Sequence, residues 1–194
     1  MRRTLGAVLT LVGAVILVLV GFSYARAALA RDRARAEWEA TVARTARLTA
    51  DRRAGRFTSP EQLALSTPVG RLIIPSIGLD EVVVEGVGDS QLEAGPGHLP
   101  GSALPGAAGN SVISAHRDRH FHALGDVALG DTIVTETLAG RARWVVIARR
   151  VVESGAPALF ASSEPVLTLT TCWPIRYLGP APDRFILTAK PLGD

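Results

Sequence analysis

The sequence predicts an all-β domain, a sandwich or a barrel, carried behind an N-terminal membrane helix and a helical stalk. Three observations lead there. From Val69 onward, short runs rich in β-branched residues recur, punctuated by Gly, Pro, Asp and Asn; such spacing belongs to sandwiches and barrels. No long amphipathic helix interrupts that series. Ahead of it, not one charged residue lies between Arg3 and Arg26.

The uncharged run, residues 4–25, is 22 residues long. As a helix it spans about 33 Å, against a hydrocarbon core of roughly 30 Å. Tyr24 falls where an aromatic ring with a polar tip favours the membrane interface. A cleaved signal peptide is the rival reading, and small residues do follow ("ARAALA"). Its apolar stretch is normally about 7–15 residues, shorter than this one. Residues 1–24 therefore read as an uncleaved signal-anchor, single-pass, with the folded domain on the extracytoplasmic side. Arg2 and Arg3 support a cytoplasmic N-terminus, whereas Arg26, Arg31, Arg33 and Arg35 crowd the other end against the positive-inside rule.

Residues 25–54 are rich in Ala and Arg and contain no Gly or Pro, so they read as a helix. Leu29, Trp38, Val42 and Leu48 form only a thin apolar stripe, which predicts a solvated or membrane-surface stalk. "FTSPEQLALSTP" (57–68) reads as a linker. The stalk and linker thus occupy 25–68, and the folded domain 69–194.

Charge divides along the same boundary. Residues 23–56 carry nine Arg against four acids, net +5; residues 57–194 carry ten basic residues against fourteen acidic, net −4. The folded domain is acidic and lacks an aromatic-interleaved basic stripe, which excludes nucleic acid as a partner.

Within the domain the expected strands are 71–75, 81–86, 110–115, 131–137, 143–152, 165–171 and 184–189. "LAG" joins the fourth and fifth as a hairpin. The strand 165–171 ends at Cys172, the only cysteine of the chain. If it pairs antiparallel with 184–189, Cys172 and Arg184 become neighbours at one rim. The strand 110–115 ends just before His116.

A lone thiol has no intrachain disulfide partner. It is either a small buried hydrophobe or a nucleophile. Sulfur attacks carbonyls well even when only a few per cent is thiolate. A nearby imidazole can move the proton, and a guanidinium can donate to an oxyanion. Together the three suffice for acyl transfer through a thioester. His116 and His120 are four residues apart, a spacing that suits zinc on a helix, but no further ligand pattern completes a site, so no metal is expected. No acidic cluster suggests a calcium cage, and no cofactor is implied. His120 and His122 read as loop residues. His98, in "GPGHLPGSALPG", either helps its loop pack or lines a groove.

These segments resemble the sortases, membrane-anchored cysteine transpeptidases of bacterial surfaces. "TLTTC" (168–172) is similar to the family's Thr-Leu-x-Thr-Cys signature. "GNSVISAHRD" (109–118) resembles the segment with its histidine, "DRFILTA" (183–189) its final strand with an arginine, and "GRLIIPSIGLDEVVVEG" (70–86) the opening of its catalytic domain. "GPGHLPGSALPGAAGN" (95–110) resembles class D members. The resemblance covers roughly residues 69–190, with His before Cys before Arg. It implies a closed eight-stranded β-barrel. It implies Cys172 as nucleophile, His116 as acid/base and Arg184 as oxyanion or substrate stabiliser. Thr171, Trp173 and His98 are expected, apart from that resemblance, to contact substrate. The implied partners are proteins bearing a Leu-Pro-x-Thr-Gly-like sorting signal and an amine acceptor at the cell surface. Trp173 beside the nucleophile departs from the pattern and could shape or block the pocket, and Pro174, Pro180 and Pro182 make the following loop a stiff wall.

Papain-like proteases place Cys before His, the reverse of this order. Cysteine L,D-transpeptidases carry a Ser-x-Gly-Cys context that is absent here. From another class, a non-catalytic membrane-tethered β-module could bind a peptide in the same groove. The presence of all three reactive residues favours the enzyme.

Overall fold

The computed structural model describes residues 2–52, 65–158, 160–177 and 179–193. A single helix, α1 (Arg2–Arg52), includes both the apolar run and the stalk. Most of the expected linker lies outside the described residues, as do positions 53 and 54 of the expected stalk helix. Eight strands follow: β1 (Pro68–Ile74), β2 (Leu79–Glu85), β3 (Gly97–His98), β4 (Asn110–Ser114), β5 (Thr132–Thr137), β6 (Gly140–Glu153), β7 (Val166–Trp173) and β8 (Asp183–Pro191). One short helix, α2 (Asp89–Ala94), precedes β3.

The strands close into a barrel in the order β1-β2-β3-β4-β7-β8-β6-β5. β2–β3 and β4–β7 are parallel pairs. The other six contacts are antiparallel. Of the two architectures open to the strand pattern, the chain adopts the barrel, which leaves no sheet edge.

Aliphatic residues fill the interior. Leu72, Ile74, Ile113, Ile133, Leu167, Leu169 and Leu187 are fully buried, each contributing about 1.5–3 kcal/mol by the usual transfer scale. Trp144 joins them, with its indole Nε1 donating to Thr135 Oγ1 at 2.8 Å. Along β7, Leu167 and Leu169 enter this core. Strand alternation then turns Thr168, Thr170 and Cys172 to the outer face.

Seven of the eight strands coincide with the expected runs. β3 was not expected, because two residues carry no periodicity. Its position depends on close backbone approach: a Cβ at Gly97 would lie 2.1 Å from the Gly86 carbonyl oxygen.

The helix beyond the apolar run is not a free stalk. Ala34 and Trp38 are buried against Val82 and Val84 of β2. Arg35 donates to the Asp80 carbonyl oxygen at 2.8 Å. Arg31 and Arg35 approach Glu81 at 3.7 and 3.8 Å, and Arg71 forms a two-pronged pair with Asp80. The expectation of a solvated stalk fails here, since a narrow stripe of Ala and Trp is enough to dock a helix when small and large residues interlock.

Candidate active site

Register brings the three reactive residues together. Cys172 and Arg184 are Cα partners in the antiparallel β7–β8 ladder, as the antiparallel reading expected. In the parallel β4–β7 ladder Ser114 pairs with Thr170. Two further residues along each strand bring His116 level with Cys172. The Ala115 N–H donates to the Thr170 carbonyl at 3.2 Å, and Thr171 Oγ1 donates to the Ala115 carbonyl at 2.8 Å, which holds the two chains together past the end of β4. Neighbouring strands lie about 4.8 Å apart. The cysteine therefore has an imidazole-bearing chain on one side and a guanidinium-bearing chain on the other.

Cys172 is exposed and opens into a groove of about 480 Å³. His116, Arg184, Ser114 and Thr170 line it as well. Leu92 and Leu99 form one apolar wall and residues 154–158, after β6, another. A second depression of about 430 Å³, beside the β5–β6 hairpin, is lined by Leu104, Pro105 and Leu138 and contains neither thiol nor imidazole.

The remaining candidates take other places. Trp173 turns inward, stacks on Phe185 with ring centroids 5.7 Å apart and packs on the barrel core. It is absent from the groove lining, because its ring is taken up by Phe185 and the barrel core. It neither blocks nor walls the pocket. His98 is also removed from the groove. Its side chain is 3% exposed. Nδ1 lies 2.7 Å from Glu85 Oε2 and Nε2 2.9 Å from both the Ala103 carbonyl and Ser102 Oγ. A carbonyl can only accept, so Nε2 carries a proton and donates it there. Of the two roles open to His98, packing its loop is the one realised. Thr171 touches the groove lining, but its hydroxyl is spent on Ala115.

Ser114, Thr170, Arg117 and the 154–158 wall were missed by sequence reasoning. Period-2 counting back from Cys172 would have found Thr170. Arg117 donates to the carbonyls of Pro174 and Gly179. It ties the turn after His116 to the loop after Cys172, which bears on the stiff wall expected from its prolines. His120, four residues from His116, is not on a helix. It is buried, with Nδ1 3.5 Å from Glu81 Oε1. Among the described residues no group of three or more His, Cys, Asp or Glu lies placed to hold a metal ion.

Beneath this turn lies a charged joint with α1. Burial opposes ionisation of Glu81, but the His120 ring and the charges of Arg31 and Arg35 outweigh it and hold the carboxyl below its usual range. The Arg71 hydrogen bond lowers Asp80 likewise.

Known proteins are similar to this chain in sequence and in fold. The sequence profile of the Sortase domain matches residues 72–192. Sortase D of Bacillus subtilis (strain 168) is 32% identical over 123 residues, which is 62% of this chain and 62% of that protein's length. A Clostridium perfringens Sortase D5 transpeptidase superimposes with a TM-score of 0.61 at 27% identity, covering 68% of this chain and 82% of that one. Sortase A from Corynebacterium diphtheriae gives a TM-score of 0.61 at 29% identity, covering 67% and 63%. With the family profile matching well over half of its length, this chain belongs to the sortase family.

Proposed function

We propose that this protein is a membrane-anchored cysteine transpeptidase. It cleaves a sorting signal of the Leu-Pro-x-Thr-Gly type after Thr and passes the acyl group to an amine at the cell surface. The observation that carries this reading is the register that flanks Cys172 with Arg184 and the chain bearing His116 in one open groove.

The Cys172 sulfur attacks the threonine carbonyl and its proton passes to His116. Arg184, which lines the groove, donates hydrogen bonds to the oxygen as it gains negative charge. The carbon–nitrogen bond breaks and His116 protonates the departing amine. The product is a thioester. An incoming amine then gives a proton to His116, attacks the same carbonyl and expels Cys172, which takes the proton back. Water in place of the amine gives hydrolysis.

The apolar helix supplies the anchor, since its uncharged stretch ahead of Arg26 is long and apolar enough to cross a membrane. A cytoplasmic N-terminus agrees with Arg2 and Arg3. Arg31 and Arg35, which count against it, are engaged by Glu81 and Asp80.

Intact mass of the protein after incubation with a panel of Leu-Pro-x-Thr-Gly-like peptides tests the reading. A thioester adduct of the N-terminal peptide fragment, absent in Cys172→Ala, is expected. Peptide binding with neither adduct nor turnover would replace the enzyme with a peptide-binding module.

A further inference from the structure

The height of the barrel above the membrane can be read from α1. Side chains from Val8 to Phe22 project apolar groups all round and remain exposed, the pattern of a helix solvated by lipid. Tyr24 ends that stretch, at the level where such rings meet the headgroups. The barrel meets the helix at the same level. The Arg119 guanidinium lies over the Tyr24 ring, 5.8 Å from its centroid. Arg31 and Arg35 then engage Glu81 and Asp80, and Trp38 packs on Val82. Val42 and Ala43 share a depression with Thr137 and Gly140 of the β5–β6 hairpin. Helix rise puts Ala43 about 28 Å beyond Tyr24.

The barrel is thus laid along the helix with a defined polarity. The hairpin end is remote from the membrane. The turn 116–123 is at the membrane end, and Arg117 binds the β7–β8 loop to it.

The geometry points to a membrane-contact surface: the turn 116–123 rests in the lipid headgroup layer and holds the catalytic end of the barrel against the bilayer. The inference rests on the anchor reading above. Its partner is the headgroup layer itself, selected because α1 is continuous from the lipid-facing segment to the docked one. Asp118 and His122 are exposed on this turn and flank Arg119. Polar and charged tips on short turns suit a hydrated interface and not the hydrocarbon. A groove so placed draws its peptides and amines from the membrane surface.

The full chain carrying Cys172→Ala, which removes its only thiol, permits single nitroxide labels. Label sites are Val15→Cys, Asp118→Cys, His122→Cys and Ala139→Cys, reconstituted in vesicles of phosphatidylcholine and phosphatidylglycerol. Collision rates with a water-soluble paramagnetic relaxant and with oxygen are measured. Labels at 118 and 122 are expected to meet the water-soluble relaxant several-fold less often than the label at 139. The label at 15 should meet oxygen far more often than the relaxant. If 118 and 122 match 139 while 15 stays protected, the anchor stands and the contact surface is overturned. If 15 is itself open to the relaxant, the anchor reading falls and takes the inference with it.

Discussion

Arg184 stands directly across the β7–β8 ladder from Cys172, and it is the first residue after Asp183 in β8. Its position is set by backbone hydrogen bonds on a strand whose next residue, Phe185, is buried in the core. The ladder fixes where the backbone stands, and the exposed side chain borders the groove that Cys172 opens into; in the mechanism proposed above it donates to the developing oxyanion. Removing one such donor typically lowers kcat by about 10²–10³. Arg184→Ala is expected to lose activity on that scale while the thioester chemistry still requires Cys172. Arg184→Lys should recover part of it, since an ammonium keeps the charge but not the planar fork. Steady-state transpeptidation with a matching peptide measures both.

Trp38 predicts how strongly the helix is docked. It buries its ring against Val82 and Val84. Truncation of a buried Trp costs about 3–5 kcal/mol in a core, and an interface that can close again falls at or below the low end. Trp38→Ala should lower the melting temperature of the full chain in detergent and increase hydrogen exchange in β2, with β7 and β8 little changed. Equal protection of β2 in both proteins would show that the helix is not a structural part of the domain.

Acid should loosen the same joint. The folded-state pKa of Glu81 is depressed, so the stability it contributes is fully present above the unfolded value of about 4.3. That stability is lost as pH falls through the lower folded value. Asp80 acts in the same direction, tempered by solvent because its side chain is 46% exposed. Melting temperature measured from pH 6 downward should fall less steeply in Glu81→Gln than in the parent. The same steepness in both would remove Glu81 from the account.

Gly97 tests the short strand. Its missing Cβ leaves room for the Gly86 carbonyl, and that oxygen belongs to backbone which cannot swing aside. Gly97→Ala should cost about 1–3 kcal/mol, the usual penalty for overpacking. Because β3 leads into Leu99, a wall of the groove, KM for peptide should rise along with the loss of stability. Unchanged stability and KM would show that the chain can slip past the contact.

The strands were legible because each is long enough to show β-branched runs between turn residues. The Cys172–Arg184 pairing was legible because β7 and β8 are consecutive and antiparallel. The level of His116 was not, since it depends on a parallel pairing between strands separated by the β5–β6 hairpin. The direction of Trp173 could have been counted from Leu169, but the eye goes to its neighbour in sequence. His98 looked available because its loop is rich in Gly and Pro, whereas Glu85 and Ser102 claim both ring nitrogens. Docking of α1 left one trace: three consecutive valines in "EVVVEG" suit a strand covered on both faces, one by the barrel interior and one by Trp38.

The parallel β4–β7 pairing also governs when reactivity appears. Val112 and Thr168, partners in that ladder, are far apart in the chain, and such non-local pairings form late in folding because loop closure precedes their reward. Until the ladder closes, the thiol has no imidazole beside it and the groove has no floor. A newly made chain therefore carries the thiol without the groove, and Cys172, His116 and Arg184 come together only in the finished molecule.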